Sequence, residues 1–384
     1  MLEKALNGGR AYWSWLLLLL AVASVGLALY LWQAANGVEL FGLSRDVPWG
    51  IFIANDTFMV GVAASVVMVV LPLYLHGQRD FAGIAVLGEF MAVAAVMTAL
   101  LFVLADLGQP GRLLNILLYP NPASPFFWNS ILLPGFLILN LVVGWFVLDA
   151  ERHEVDVPRW VTLLVLLSIP WAIAMHTVTS FIYSGLPARP MWNSAILAPR
   201  FLASAFASGT ASLIILSLVV RRCSGFDPGS GAIRKLATIV VYATVANLFL
   251  VLVGLFPVAY GGVESQQDPF RYLYLGLNGY SGLVPWAWLS ILLSVGAIAL
   301  LVSPGARGSE WALLVACGAV CVSMWMDKGF ALVVGGFVPS PFGEVTEYLP
   351  TVPELVITLS VYAAAALLLT LLYKIAVAVK KETL

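Results

Sequence analysis

AGIAVLGEFMAVAAVMTALLFVLA, residues 82–105, runs for twenty-four residues with a single ionisable side chain, Glu89. An α-helix rises about 1.5 Å per residue, so this stretch is long enough to cross the roughly 30 Å hydrocarbon core of a bilayer. It is too long for an ordinary strand and has no polar face to turn toward water. Reading outward from it, nine further runs satisfy the same test: 12–33, 49–75, 127–148, 160–183, 197–220, 236–257, 284–303, 311–330 and 353–373. The first follows its leucines with Ala21-Val22-Ala23, as a signal peptide would, but apolar residues continue through Trp32, so it reads as a retained helix. Of the 384 residues, 61% are hydrophobic and 10% charged, and the mean hydropathy is +0.97. A soluble domain carries about 25% charged residues. The expected fold is an all-α integral membrane protein of about ten transmembrane helices, one polytopic membrane domain over residues 1–384. The intervals between runs are too short for a separate folded unit.

Charge and ligand counts narrow the chemistry. Nineteen Lys and Arg against twenty Asp and Glu leave no basic field to collect phosphates, so nucleic-acid binding has no footprint. Three cysteines without a C-x-x-C pair supply neither an iron-sulfur cluster nor a structural zinc site; Cys317 and Cys321, one helical turn apart in an apolar run, read as small buried side chains. A haem held between two helices needs two axial ligands. Of the three histidines, His76 falls at a span end and His153 in a charged loop, leaving His176 alone within a span. Haem chemistry is therefore not expected.

Orientation follows from the basic residues of the loops. With both termini on one side, the loops and tails of that side hold thirteen Lys and Arg, and the opposite loops hold four: Arg45, Arg112, Arg189 and Arg271. The termini are thus expected in the cytoplasm and the chain in the inner membrane. The outer loops 34–48, 106–126, 258–283 and 331–352 are the longer ones and carry most of the loop tyrosine, proline and acidic residues. They read either as a docking surface for an extracytoplasmic partner or as solvated connectors.

Charged side chains within a span are costly and usually mark a site or pathway. Asp56, beside Asn55, lies about two turns in from the outer end of the second run, and Glu89 about two turns in from the cytoplasmic end of the third. The two carboxylates are candidates for different depths of one proton route. Asp106 closes the third run, Arg200 sits one turn inside the sixth, and Asp327 and Lys328 sit at the expected outer end of the ninth. Structural ion pairs, such as Asp56 with Arg200, are the alternative reading. His176 is followed by Thr179, Ser180 and Tyr183 at spacings of three, four and seven, a polar stripe on one helix face. Pro170 lies below it and allows a kink. An imidazole there can hydrogen-bond a head group and accept its proton, or it can simply be satisfied by a neighbouring hydroxyl.

The run from Leu104 to Arg112, Leu-Ala-Asp-Leu-Gly-Gln-Pro-Gly-Arg, resembles the Asp-Leu-Gly-x-Pro-x-Arg element of the polysulfide reductase membrane-subunit family, the NrfD-like proteins. Pro48-Trp49-Gly50-Ile51, Ser168-Ile169-Pro170-Trp171 with the following His176-Thr177-Val178-Thr179, and Ser184-Gly185-Leu186-Pro187 resemble the same family. Residues 87–206 are most similar to the subtype that accompanies dissimilatory sulfite reductase, the DsrP type. The resemblance implies two four-helix bundles plus a flanking helix at each end. It also implies a haem-free subunit, without an iron-sulfur cluster of its own, that binds menaquinone or ubiquinone near the outer face within a respiratory complex of sulfur-compound metabolism. Electrons would pass to or from an extracytoplasmic ferredoxin-like iron-sulfur subunit. A cytochrome c, a haem-b membrane subunit and a cytoplasmic heterodisulfide-reductase-like subunit are the other expected partners, together with membrane lipid, and the chain is expected to act only within the complex.

By position, Asn55, Asp106, Arg112, Tyr183 and Arg200 are the expected quinone-binding residues, His176 and Asp56 the catalytic ones, and Glu89 with Asp56 the proton path. Quinol oxidation releases two electrons and two protons, so such a site needs hydrogen-bond donors, a base and an electron acceptor, and the acceptor must belong to another chain. Two rival readings remain: a secondary transporter, since Pro72, Pro134 and Pro170 lie inside spans, and a passive anchor for a redox partner.

Overall fold

The computed structural model describes residues 1–37 and 40–382. Residues 38 and 39 of the expected 34–48 loop, and the last two residues of the chain, lie outside them. Among the described residues ten helices are long and apolar enough to cross a membrane: Arg10–Asn36, Ile51–Tyr74, Arg79–Asp106, Pro125–Arg152, Arg159–Ser184, Leu197–Ser224, Ser230–Gly261, Val284–Val302, Glu310–Gly335 and Val352–Glu382. They are numbered spans 1 to 10. No strand occurs among the described residues. Hydrocarbon offers no partner to a backbone N–H or C=O, and a helix satisfies both within itself, so ten apolar stretches fold as ten helices. The protein is an all-helical multi-pass membrane protein.

Spans 2 to 5 form a ring, 2 on 3, 3 on 4, 4 on 5 and 5 on 2, and spans 6 to 9 form a second ring in the same manner. Spans 1 and 10 pack on each other, span 10 lies against span 3, and the Tyr30 hydroxyl of span 1 donates to the Leu104 carbonyl of span 3, so the two flanking helices meet on one side of the molecule. The rings join where span 2 meets spans 6 and 9 and where span 5 meets span 6. Span 6 supplies a buried face of small residues for that join, Ser204, Ala205, Ser208 and Gly209. Lipid provides little hydrophobic drive between helices, and small residues allow the close backbone approach that holds them instead. Near the termini, Lys4 and Glu382 form an ion pair. The opposite end, called distal here, is covered by loops and by the short helix Glu264–Tyr274.

Two spans depart from regular helix, and both departures lie at the join. Span 2 is interrupted at Ser65 and Val66, between helical segments Ile51–Ala64 and Val67–Tyr74. Span 9 passes through a π-helical turn, Trp325–Ala331, before resuming to Gly335. This corrects the expectation that span 9 ends at 330 with Asp327 and Lys328 at its mouth: both lie inside the helix, and Lys328 is only 3% exposed. The adjacent charges read as an interface pair, but the apolar run continues beyond them. Pro134 and Pro170 lie within unbroken helices, Pro125–Arg152 and Arg159–Ser184.

Candidate functional site

The distal end of span 2 begins with Pro48-Trp49-Gly50-Ile51. The Ile51 amide donates to the Tyr348 hydroxyl at 3.0 Å, and that hydroxyl donates to Glu354 at 2.7 Å. Glu354, fully buried, also accepts from the Gly42 amide at 3.0 Å and the Thr351 amide at 2.8 Å. A Cβ on residue 50 would lie 2.4 Å from the Tyr348 oxygen, so only glycine lets the phenol reach the start of the helix. Burial first, and then the bond to Glu354, push the Tyr348 phenol above its usual range, and the nearby charge of Asp106 adds to this.

One turn further in, three consecutive residues point in three directions, as a step of 100° per residue requires. Asn55 Oδ1 accepts from Trp325 Nε1 of span 9 at 2.7 Å and from the Tyr362 hydroxyl of span 10 at 3.0 Å. Thr57 faces span 5 and pairs with the Tyr183 hydroxyl at 2.6 Å. Between them, Asp56 is buried with Oδ1 unpartnered, and Asn55 Nδ2 and Asp106 Oδ1 are likewise buried, all three without a partner among the described residues. A buried polar atom without a partner is unusual and calls for a reason.

Next to this layer lies a cluster of charge. Arg200 of span 6 pairs with Asp327 of span 9 at 2.6 Å, rather than with Asp56. Lys328 sends its Nζ to within 2.7 Å of His176 Nε2 and 4.4 Å from the centroid of the Phe201 ring. The same His176 nitrogen lies 2.8 Å from the Phe201 carbonyl oxygen, while Nδ1 has no partner among the described residues. Tyr183 is packed by the rings of Trp49, Trp192 and Phe201.

The expected site residues divide into three groups. Asn55, Asp56, Asp106, His176, Tyr183 and Arg200 lie in the distal layer or the adjoining charge cluster. Arg112 is exposed, on the turn Pro110–Arg112. Glu89 lies in the terminus-side half of span 3, buried, with Oε2 unpartnered among the described residues. Of the polar stripe, Thr179 bonds to Asn129 Oδ1 and the Met175 carbonyl, and Ser180 bonds to the Thr177 carbonyl, so their hydroxyls are occupied. Trp325, Tyr362, Tyr348 and Glu354 are not distinguished by the sequence, and Lys328 stands out there only as an interfacial residue. A signal for its true place existed, a lysine embedded in an apolar stretch that runs on to Val338.

The donor set suits a neutral head group with carbonyl or hydroxyl oxygens. Asn55 Nδ2 is a spare donor and Asp106 Oδ1 a spare acceptor. A groove of about 280 Å³ between spans 1, 3 and 10, lined by Leu27, Leu101, Leu104, Ala105 and Val361, has the apolar walls that a hydrocarbon chain needs. Ala105 and Val361 adjoin Asp106 and Tyr362 in sequence. No group of three His, Cys, Asp or Glu side chains placed to hold a metal ion occurs among the described residues.

Comparison with known proteins gives relatives of the same kind. The Hdr-like menaquinol oxidoreductase integral membrane subunit of Archaeoglobus fulgidus is 24% identical over 340 residues, 88% of this chain and 82% of that protein. A selenate reductase subunit of Mesobacillus selenatarsenatis is 23% identical, over 78% of each chain. A tetrathionate reductase subunit of Salmonella typhimurium is 27% identical over 185 residues, 46% of this chain and 52% of that one. Residues 39–339, which hold the whole charge cluster and all of the distal layer except Tyr348, Glu354 and Tyr362, match the NrfD family as a unit, and the chain belongs to the NrfD polysulphide reductase family.

Proposed function

We propose that this chain is the quinone-reactive membrane subunit of a respiratory oxidoreductase complex, exchanging electrons between menaquinol or ubiquinol and an extracytoplasmic ferredoxin-like iron-sulfur subunit. The observation that carries the reading is the set of buried, unpartnered polar atoms on Asn55, Asp56 and Asp106 at the distal ends of spans 2 and 3. Desolvated donors and acceptors without protein partners suit a ligand that offers the complementary groups. The name of the A. fulgidus relative, a menaquinol oxidoreductase subunit, supports the quinone, and the tetrathionate relative supports a place in sulfur-compound metabolism. The DsrP subtype, with its cytochrome c, haem-b and heterodisulfide-reductase-like partners, rests on the resemblance of residues 87–206. The excess of basic residues in the terminus-side loops supports cytoplasmic termini, which puts the distal layer at the outer face.

A quinol bound in this layer supplies two electrons to the partner and two protons to the site. Asn55 Nδ2 orients one head-group oxygen by donation, and Asp106 accepts from the other. Tyr183, fixed by Thr57 and its aromatic neighbours, and Arg200, fixed by Asp327, shape the wall behind them. Asp56 and His176 take the protons away, and Glu89 serves only if protons cross from the cytoplasmic side. Exposed Arg112 suits the partner surface better than the head group. Quinone titration and quinol-dependent reduction of the partner, measured on the whole complex with Asp106→Asn and His176→Ala, test the assignment. The expected result is assembly at normal cluster content with electron transfer reduced roughly a hundredfold or more. Wild-type turnover in both variants refutes it.

A further inference from the structure

His176 Nε2 meets two groups with opposite needs. The Phe201 carbonyl oxygen, 2.8 Å away, only accepts, so that contact requires a hydrogen on Nε2. The Lys328 nitrogen, 2.7 Å away, only donates when it is an ammonium, so that contact requires a lone pair on Nε2. One fixed arrangement cannot serve both. Moving a single proton serves each in turn. With the hydrogen on Nε2, the carbonyl, which also accepts from the Ser204 hydroxyl, receives the imidazole N–H, and Lys328 is an accepting amine. With the hydrogen on Nζ, Lys328 donates to Nε2, and the imidazole stays neutral once Nδ1, the nitrogen that has no partner among the described residues, has taken up a proton.

The surroundings hold the lysine head at this point. It leaves span 9 within the π turn, rests on the Phe201 ring of span 6, and touches span 2 where a Cβ on Gly61 would lie 3.1 Å from Nζ. Gly61 thus makes the space the ammonium occupies. Among the described residues Lys328 forms no ion pair within 4.0 Å, and the charged groups around the pair are Asp56 on span 2, Arg200 on span 6 and Asp327 on span 9, with the Tyr183 phenol on span 5. Asp56 interacts electrostatically with Lys328 and has an unpartnered oxygen to receive a proton.

We propose that Lys328 and His176 act as one proton carrier in the quinol reaction, which makes Lys328 a proton-handling residue of this site. His176 Nδ1 takes the proton of a quinol hydroxyl, O–H breaking and N–H forming, as the Nε2–H bond breaks and an N–H bond forms at Lys328 Nζ; Lys328 then gives a proton to the Asp56 carboxylate, breaking N–H and forming O–H, and the imidazole hydrogen returns from Nδ1 to Nε2 before the next turnover. No electron moves in either step. The proposal rests on the quinone reading above.

The test uses the whole complex in lipid vesicles with a short-chain menaquinol analogue, and three variants. Lys328→Met removes the proton site, and Lys328→Arg keeps the charge and the donors but cannot be deprotonated in a protein. Gly61→Ala leaves the lysine in place and pushes its head a few tenths of an ångström. Quinone affinity should stay within about twofold in all three. Turnover should fall by about 10² or more in both Lys328 variants, the scale of a lost general acid–base group. In Gly61→Ala it should fall several-fold, with a displaced limb in the turnover–pH profile. Full turnover in Lys328→Met, or rescue by Lys328→Arg, overturns the carrier. If the Lys328 variants fail to assemble, an unchanged rate and pH profile in Gly61→Ala overturns it equally. A wild-type complex that oxidises no quinol removes the functional reading and the carrier together, whereas normal oxidation by the variants removes the carrier alone.

Discussion

Replacing Asp327 with asparagine removes the charge opposite Arg200 while keeping the shape of the side chain. The pair is 2.6 Å apart, with side chains 16% and 12% exposed, so little solvent screens it. At an effective dielectric near 20, opposite charges 4 Å apart attract by about 4 kcal/mol, and breaking a buried pair costs about 3–5 kcal/mol because the survivor is left uncompensated. The two partners are not equivalent. Arg200 is the fourth residue of span 6, and its long side chain can rise toward the distal interface, which lowers the cost of Asp327→Asn to about 2–3 kcal/mol. Asp327 has a short side chain inside span 9, and its other contact, Asn247 Nδ2 at 3.5 Å, is too long to compensate. Arg200→Met should therefore cost the full 3–5 kcal/mol or so. The double variant should cost less than the two singles together, with a coupling of about 1.5 kcal/mol or more. Graded unfolding in mixed detergent micelles, followed through the tryptophans, measures all four corners of the cycle. Two singles within about 0.5 kcal/mol of wild type, or a strictly additive double, would refute the claim that this pair fastens span 6 to span 9.

Gly50→Ala should destabilise the chain by about 2–3 kcal/mol, because its Cβ displaces the Tyr348 hydroxyl from both the Ile51 amide and Glu354; an unchanged midpoint in a thermal melt would count against that linkage. Asn55→Asp keeps the acceptor used by Trp325 and Tyr362 but removes the Nδ2 donor, so the complex should assemble and bind quinone about tenfold more weakly, as read by quinone titration. Reporter fusions at both termini should report the cytoplasm and one after Gly262 the periplasm; a periplasmic terminus inverts every outer-face assignment. Replacing residues 264–280 with a Gly/Ser linker should release the iron-sulfur partner while the ten spans still fold, and full retention of the partner on a pull-down moves the docking surface elsewhere.

What could be read in the sequence is what depends on local length and polarity. The crossing of residues 82–105 needs no knowledge of the rest of the chain, since any helix of that length and composition is driven into hydrocarbon, and the same holds for the other nine runs. The polarity of Asn55, Asp56, Asp106 and His176 was legible for the same reason, a polar side chain in an apolar span being conspicuous wherever it points. Pairings were not legible. Arg200 and Asp327 are 127 residues apart, and the ion pair read from the sequence was Asp56 with Arg200. The end of span 9 was misplaced because Asp327 and Lys328 match the appearance of an interfacial pair, and only contact with spans 2, 5 and 6 shows what satisfies them inside. The meeting of spans 1 and 10 on one side of span 3 is likewise a tertiary fact about helices at opposite ends of the chain.

The charge cluster draws one or two residues from each of four spans, Asp56 from span 2, His176 from span 5, Arg200 from span 6, and Asp327 with Lys328 from span 9. The largest contacts between the two rings run through these spans. Such an arrangement makes the distances within the cluster a measure of how the rings sit against each other. A displacement of one ring by a few tenths of an ångström would leave each ring's own packing nearly intact, because helices move as rigid units, yet it would open or close the 2.7 Å contact between Lys328 and His176. The irregular backbone lies at the same junction: the interruption at Ser65 and Val66, and the π turn that carries Lys328. A π turn is rare within α-helices and is frequently found at functional sites. Here it carries adjacent residues that meet two different partners, Asp327 the guanidinium of span 6 and Lys328 the imidazole of span 5. A partner docked on the distal loops would bear on both rings at once, through the loop holding Arg189 against Phe337 and the one holding Glu347 against the Gly282 amide.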